Sequence, residues 1–170
     1  MTLIILLVVF GLTLLFGKFL NRSFGSLSQA GNIAMCAMLV FTGISHFFFT
    51  KGMALMMPDF LPAKVLLVYV TGILEMLLGL GLCFSGTRKI SSKLLILFFI
   101  LILPANITAA IKQVNMQTAD FTGPGLSYLW FRIPLQLAYM AWVYIFGLRL
   151  IKEPVITPIS GNKHLLAAEL

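Results

Sequence analysis

The sequence predicts an all-α, polytopic transmembrane helical bundle of five helices, with its N-terminus outside and its C-terminus in the cytoplasm. Three observations predict it. Of the 170 residues, 60% are hydrophobic and only 10% are charged, against about 25% charged in an ordinary soluble domain. The mean hydropathy of +1.04 leaves too little polar surface to clothe a water-soluble globule. Apolar segments recur along the chain, each near the ~20 residues a helix needs to cross the hydrocarbon core. None shows the period-two alternation of a strand, and in lipid only helices or a closed barrel satisfy every backbone group.

The segments are Leu3–Leu20, about Gly31–Phe49, about Ala63–Phe84, Lys93–Ile111 with an interruption at Pro104, and about Leu126–Leu150. The first is read as an uncleaved helix. It lacks a basic leader, and Lys18 and Arg22 follow the apolar run, the reverse of a secretory signal. Residues 1–150 form one transmembrane domain in this reading, and 151–170 a cytoplasmic tail that includes His164, to which no role falls.

Orientation follows the positive-inside rule. With the N-terminus outside, Lys18, Arg22, Arg88, Lys89, Lys93, Arg149, Lys152 and Lys163 reach the cytoplasm, and Lys51, Lys64 and Lys112 face out. "SGTRKISS" (85–92) reads as a short basic turn. "TKGMALMMPDFLPAK" (50–64) is apolar for a loop and is expected in the interface or folded over the outer mouth of the bundle. Met53, Met56 and Met57 in it read as packing rather than metal ligands. "QVNMQTADFTGPGLS" (113–127) is a polar outer loop ending in a Gly-Pro-Gly turn signal.

The net charge is +7, but the basic residues sit at segment ends. They read as topology signals and contacts to anionic membrane lipids, and nucleic-acid binding is excluded. Cys36 and Cys83 stand alone in apolar stretches without a C-x-x-C. They are expected to be small buried hydrophobes, with no metal site.

The informative residues are polar ones at membrane depth: His46, Glu75, Asn106, Arg132 and Gln136. A charged residue at a helix centre costs ~2.5–3.5 kcal/mol on insertion scales, and such groups normally face the bundle interior and pair. At 1.5 Å per residue, His46 lies about 6 Å from the outer helix end, Asn106 and Arg132 about 9 Å, and Glu75 about 16 Å. All five fall in the outer half, and the cytoplasmic halves show no comparable set. Each lies on a stripe of small or polar residues at helical spacing: Thr42-Gly43-His46, Gly72-Glu75-Gly79, Asn106-Ala110-Gln113 and Tyr128-Arg132-Gln136. The stripes predict one shared ligand-binding pocket open to the outer side, with Arg132 as the charge partner of Glu75. Simpler roles stand beside this: a structural ion pair, an interfacial histidine, a proline kink at Pro104 and an interhelical glutamine bridge.

The segments "GISHF" (43–47), "MMPDFLP" (56–62), "TGILEMLLGLGL" (71–82), "LPAN" (103–106) and "RIPLQLAYMAW" (132–142) resemble, in order and spacing, the DoxX-like family of small bacterial membrane proteins over about residues 33–150. The resemblance implies a four-helix core, with Leu3–Leu20 added to it, in the bacterial cytoplasmic (inner) membrane. It also implies a redox association, since some such proteins are subunits of thiosulfate:quinone oxidoreductase and others belong to methylamine-utilisation or oxidative-stress complexes. The cysteine pairs of thiol-oxidising quinone reductases are missing from the pattern, so no disulfide relay is expected.

The expected function is a redox-complex subunit whose pocket binds a quinone-like or other small lipophilic ligand. No catalytic residue is assigned. A membrane quinone is the cofactor considered. Flavin, haem and Fe–S signatures are absent from the sequence, so electrons would come from a protein partner, and a partner or a homo-oligomer is expected. The alternatives are a non-enzymatic structural or assembly subunit, in which the polar residues only set helix register, and a small transporter.

Overall fold

The computed structural model describes residues 2–19 and 27–150. Arg22, Lys152, Lys163, His164 and the expected tail lie outside them. The described chain is helical: α1 (Thr2–Phe19), α2 (Leu27–Phe48), α3 (Thr50–Met56), α4 (Lys64–Cys83), α5 (Ser85–Ile111) and α6 (Ser127–Tyr144), the last running into a π-helical turn at Ile145–Arg149. No strand occurs among the described residues; one isolated bridge joins Asn115 and Asp120. Four helices are long and apolar enough to cross a membrane: α2, α4, α5, and α6 with its π-helical turn. The helix α1 is apolar but shorter.

Composition explains the arrangement. The outward faces carry Ile73, Leu77, Leu97, Ile100, Leu101 and Leu137, all exposed, as lipid contact requires. Inward faces build a core from Met35, Met38, Leu39, Leu82, Leu95, Phe98, Leu135 and Val143, which Leu6 of α1 joins. Exposed Phe48, Phe60, Trp130 and Phe131 gather where α2 ends and α6 begins, the placement of an interfacial aromatic belt.

The segment 85–92, read from sequence as a loop, is the first two turns of α5. Only Phe84 separates α4 from α5, with extended backbone angles. The orphan carbonyls at the end of α4 are met by α5 itself. Thr87 Oγ1 donates to Gly81 O at 2.8 Å and Arg88 Nε to Leu82 O at 2.9 Å. At 27 residues, α5 is about 40 Å long, enough to carry Arg88 and Lys89 beyond a ~30 Å hydrocarbon core. It is also continuous through Pro104, so the expected interruption is absent.

The tightest helix pair is α2 with α4, and glycines explain why. A Cβ added at Gly72 would lie 2.7 Å from His46 Cβ, and one at Gly43 would lie 2.8 Å from Gly72 O. Only hydrogen fits at these crossings. The helices α4, α5 and α6 follow around a ring, but α2 closes that ring mainly against the π-helical turn and scarcely touches α6. The bundle is therefore shut at one end and parted at the other.

Candidate functional site

The parting between α2 and α6 is a cavity of about 240 Å³. The buried Phe98, Phe99 and Tyr139 floor it. The short helix α3 and the segments after α3 and α5 bring Met53, Met56, Met57 and Met116 to its lining, as expected of a loop too apolar to stand in water. Thr2 of α1 also lines it and is hydrogen-bonded to Tyr139 Oη at 2.8 Å, so the first helix contributes a wall that the sequence did not suggest. His46, Glu75, Asn106, Arg132 and Gln136 all line this one cavity, with Thr42 and Tyr128 from the predicted stripes.

On the α2–α4 wall, Glu75 Oε2 is 3.3 Å from His46 Nε2. Glu75 Oε1 accepts a hydrogen bond from Thr42 Oγ1 at 2.6 Å. The other ring nitrogen of His46, Nδ1, is 3.0 Å from the Val68 carbonyl. A carbonyl only accepts, so Nδ1 carries a hydrogen. The contact between Nε2 and the carboxyl then needs one further proton, held by either partner. Thr42 is also 3.1 Å from the Met38 and Leu39 carbonyls, and its single hydroxyl hydrogen can turn to either side. The wall can thus hold a proton in alternative places without moving a heavy atom.

The α5–α6 wall is a chain of donors. Arg132 Nε donates to Asn106 Oδ1 at 3.3 Å and Asn106 Nδ2 to Gln136 Oε1 at 3.4 Å. Gln136 Nε2 donates to the Phe99 carbonyl, one residue before the carbonyl of Ile100 that loses its helical donor to Pro104. This chain engages one of the five guanidinium N–H groups of Arg132. The expected Glu75–Arg132 pairing is corrected. Glu75 meets His46 and Thr42 across the Gly43–Gly72 crossing, because those glycines bring α4 onto α2 rather than α6. Arg132 turns to Asn106 on its own neighbour, α5.

In the segment between α3 and α4 the Asp59 carboxylate lies 2.7 Å from Lys112 Nζ with both oxygens and 3.0 Å from Lys64 Nζ. Lys112 chiefly, then Lys64, holds its carboxyl below the usual carboxylate range. This clasp ties the segment after α3 to the start of α4 and the end of α5. Ala63, beside it, takes a left-handed φ of 49°, a local strain that turns the chain into α4.

Two further polar features escaped the sequence. Asn32 and Ser92 are fully buried in the other half of the bundle, where no polar set was expected. Asn32 Nδ2 donates to the Phe146 carbonyl at 2.9 Å and Ser28 Oγ does so at 2.8 Å. They satisfy backbone in the π-helical turn, and their signal in the sequence is only their register on the packed face of α2. The second feature is that the side chains of Cys36 and Cys83 neighbour each other, although their sequence neighbourhoods gave no sign of a pair.

No group of three or more His, Cys, Asp or Glu residues able to hold a metal ion occurs among the described residues. Neither a curated protein nor a solved structure matches the chain. A family model described as a domain of unknown function (DUF8561) matches residues 35–147, from the middle of α2 to the π-helical turn. The match covers every helix that walls the cavity except α1 and the start of α2, and the chain belongs to this family.

Proposed function

We propose that this protein is a ligand-binding subunit of a membrane redox complex, holding a quinone-like ring in its cavity. It sits in the bacterial cytoplasmic membrane with five spans, α1 among them, its N-terminus out and its C-terminus in. The observation that carries the reading is the pairing of unlike walls around one apolar space. One wall sets the His46 imidazole 3.3 Å from the Glu75 carboxyl; the other presents Arg132, Asn106 and Gln136. A ring with two carbonyl oxygens suits both. One oxygen accepts from the guanidinium, and the other takes a proton from the His46–Glu75 pair as two electrons arrive from a protein partner, leaving a hydroquinone monoanion whose charged oxygen stays paired with Arg132. Small pockets are mostly apolar with a few convergent polar groups, and 240 Å³ accommodates a ring rather than a whole isoprenoid tail. The redox class rests on the resemblance to DoxX-like proteins.

A structural or assembly subunit is the second reading, favoured by one observation: the site's polar groups already bond to one another. Titration of the detergent-purified protein with decylubiquinone separates the two. Losing a hydrogen bond to a charged group costs about 1.5–3 kcal/mol. Arg132→Ala is therefore expected to weaken binding by about tenfold or more, each 1.4 kcal/mol being a factor of ten. Undiminished binding by a folded variant, or no binding by the wild type, removes the quinone reading.

A further inference from the structure

We infer that Cys36 and Cys83 form a redox-active dithiol that exchanges with small disulfides at the end of the α2–α4 pair remote from the cavity. The two helices run antiparallel, and the glycine contacts fix their alignment. Gly72 faces His46 and Gly79 faces Leu39, with the Cys36 carbonyl 3.6 Å from a Cβ placed at Gly79. One helical turn beyond Gly79 on the same face is Cys83, and one turn before Leu39 on the facing stripe is Cys36. The register thus places the two side chains as neighbours across the α2–α4 contact, close enough to interact with each other. Both are free thiols.

Their surroundings differ in the way an exchange couple needs. Cys83 is exposed at the last position of α4, and Cys36 is buried. Access therefore selects Cys83 as the thiol that meets an external disulfide and Cys36 as the resolving thiol. Arg88 Nη2 is 3.5 Å from the Cys83 carbonyl, so the approach is cationic and suits a disulfide bearing carboxylates. The chemistry closes without another reagent. The Cys83 sulfur attacks RS–SR, forming Cys83–S–SR and releasing RSH. The Cys36 sulfur then attacks the Cys83 sulfur, forming Cys36–S–S–Cys83 and releasing the second RSH. Two electrons pass from the protein thiols to the incoming disulfide, and the two thiol protons leave with its halves. The inference does not rest on the cavity: Cys36 is ten residues from His46 along α2, about 15 Å.

The test equilibrates the purified full chain with graded ratios of reduced and oxidised glutathione, quenches in acid, and reads maleimide labelling and intact mass. Both thiols are expected to vanish together in one transition, with loss of two hydrogens and a Cys36–Cys83 cross-linked peptide. Cys36→Ser is expected to accumulate a stable glutathione adduct on Cys83, and Cys83→Ser to leave Cys36 unmodified. Independent loss of the two thiols, or a glutathione adduct persisting on Cys83 in the wild type, overturns the inference. The wild-type measurement decides even if a variant fails to fold.

Discussion

His46 Nε2 and Glu75 Oε2 stand 3.3 Å apart across the point where α2 and α4 approach most closely. The closeness has a backbone cause: Gly43 and Gly72 occupy the crossing, and His46 Nδ1 is anchored on the Val68 carbonyl. The pair therefore brings a ring nitrogen and a carboxyl oxygen together at the wall of an apolar cavity. A carboxylate that looks misplaced within "TGILEMLLGLGL" has its partner three residues beyond a glycine on the neighbouring helix.

The pairing is measurable as energy. In a double-mutant cycle on thermal or denaturant unfolding, His46→Ala and Glu75→Gln are expected to couple by about 1 kcal/mol or more, the range for residues in contact. Glu75→Gln and Arg132→Ala are expected to add within about 0.5 kcal/mol, as groups without shared partners do. The reverse pattern would restore the ion pair that sequence alone suggests.

The clasp of Asp59 on Lys112 and Lys64 has a pH signature. Asp59 titrates below the usual carboxylate range because Lys112 and Lys64 favour its charged form. Its contribution is therefore complete above the ordinary carboxylate value of about 3.9 and is lost as pH falls through the lowered value. At neutral pH the clasp is closed. Asp59→Asn is expected to raise hydrogen exchange in α3 a few-fold at pH 7, a modest change because exposed ion pairs are weak. The same change in the wild type is expected only in strongly acid solution. Equal exchange in both proteins at pH 7 would remove the clasp.

The closed end of the bundle depends on Asn32. Its amide meets the Phe146 carbonyl and the Ser28 carbonyl. Asn32→Leu removes one of the two side-chain donors to the Phe146 carbonyl, Ser28 Oγ remaining, at a cost of about 0.5–1.5 kcal/mol. A clear fall in melting temperature is expected, with binding at the distant cavity retained. An unchanged melting temperature would mean that the π-helical turn does not need this support.

Much of this was legible in the chain. Period and hydropathy locate the helices, because lipid leaves the backbone no alternative, and the small-and-polar stripes identify the residues that share the cavity. The pairing within the cavity was not legible. Glu75 and Arg132 are opposite charges in the same outer half, and only the Gly43–Gly72 crossing shows that α4 faces α2 there. Residues 85–92 look like a loop by composition, yet they are helical because Thr87 and Arg88 cap the helix before them. Cys36 and Cys83 were invisible as a pair for a related reason. Their meeting depends on an antiparallel register between helices, which no local motif encodes.

The central claim is that the cavity between α2 and α6 holds a quinone-like ring. Photolabelling with an azido-benzoquinone, followed by peptide mapping, tests it most directly. The account predicts labels concentrated at Met53, Met56, Met116 and the Thr42–His46 and Tyr128–Gln136 segments, with unlabelled decylubiquinone abolishing them. Labels spread over lipid-facing residues such as Leu77, Leu97 and Leu101, unaffected by competitor, would contradict it.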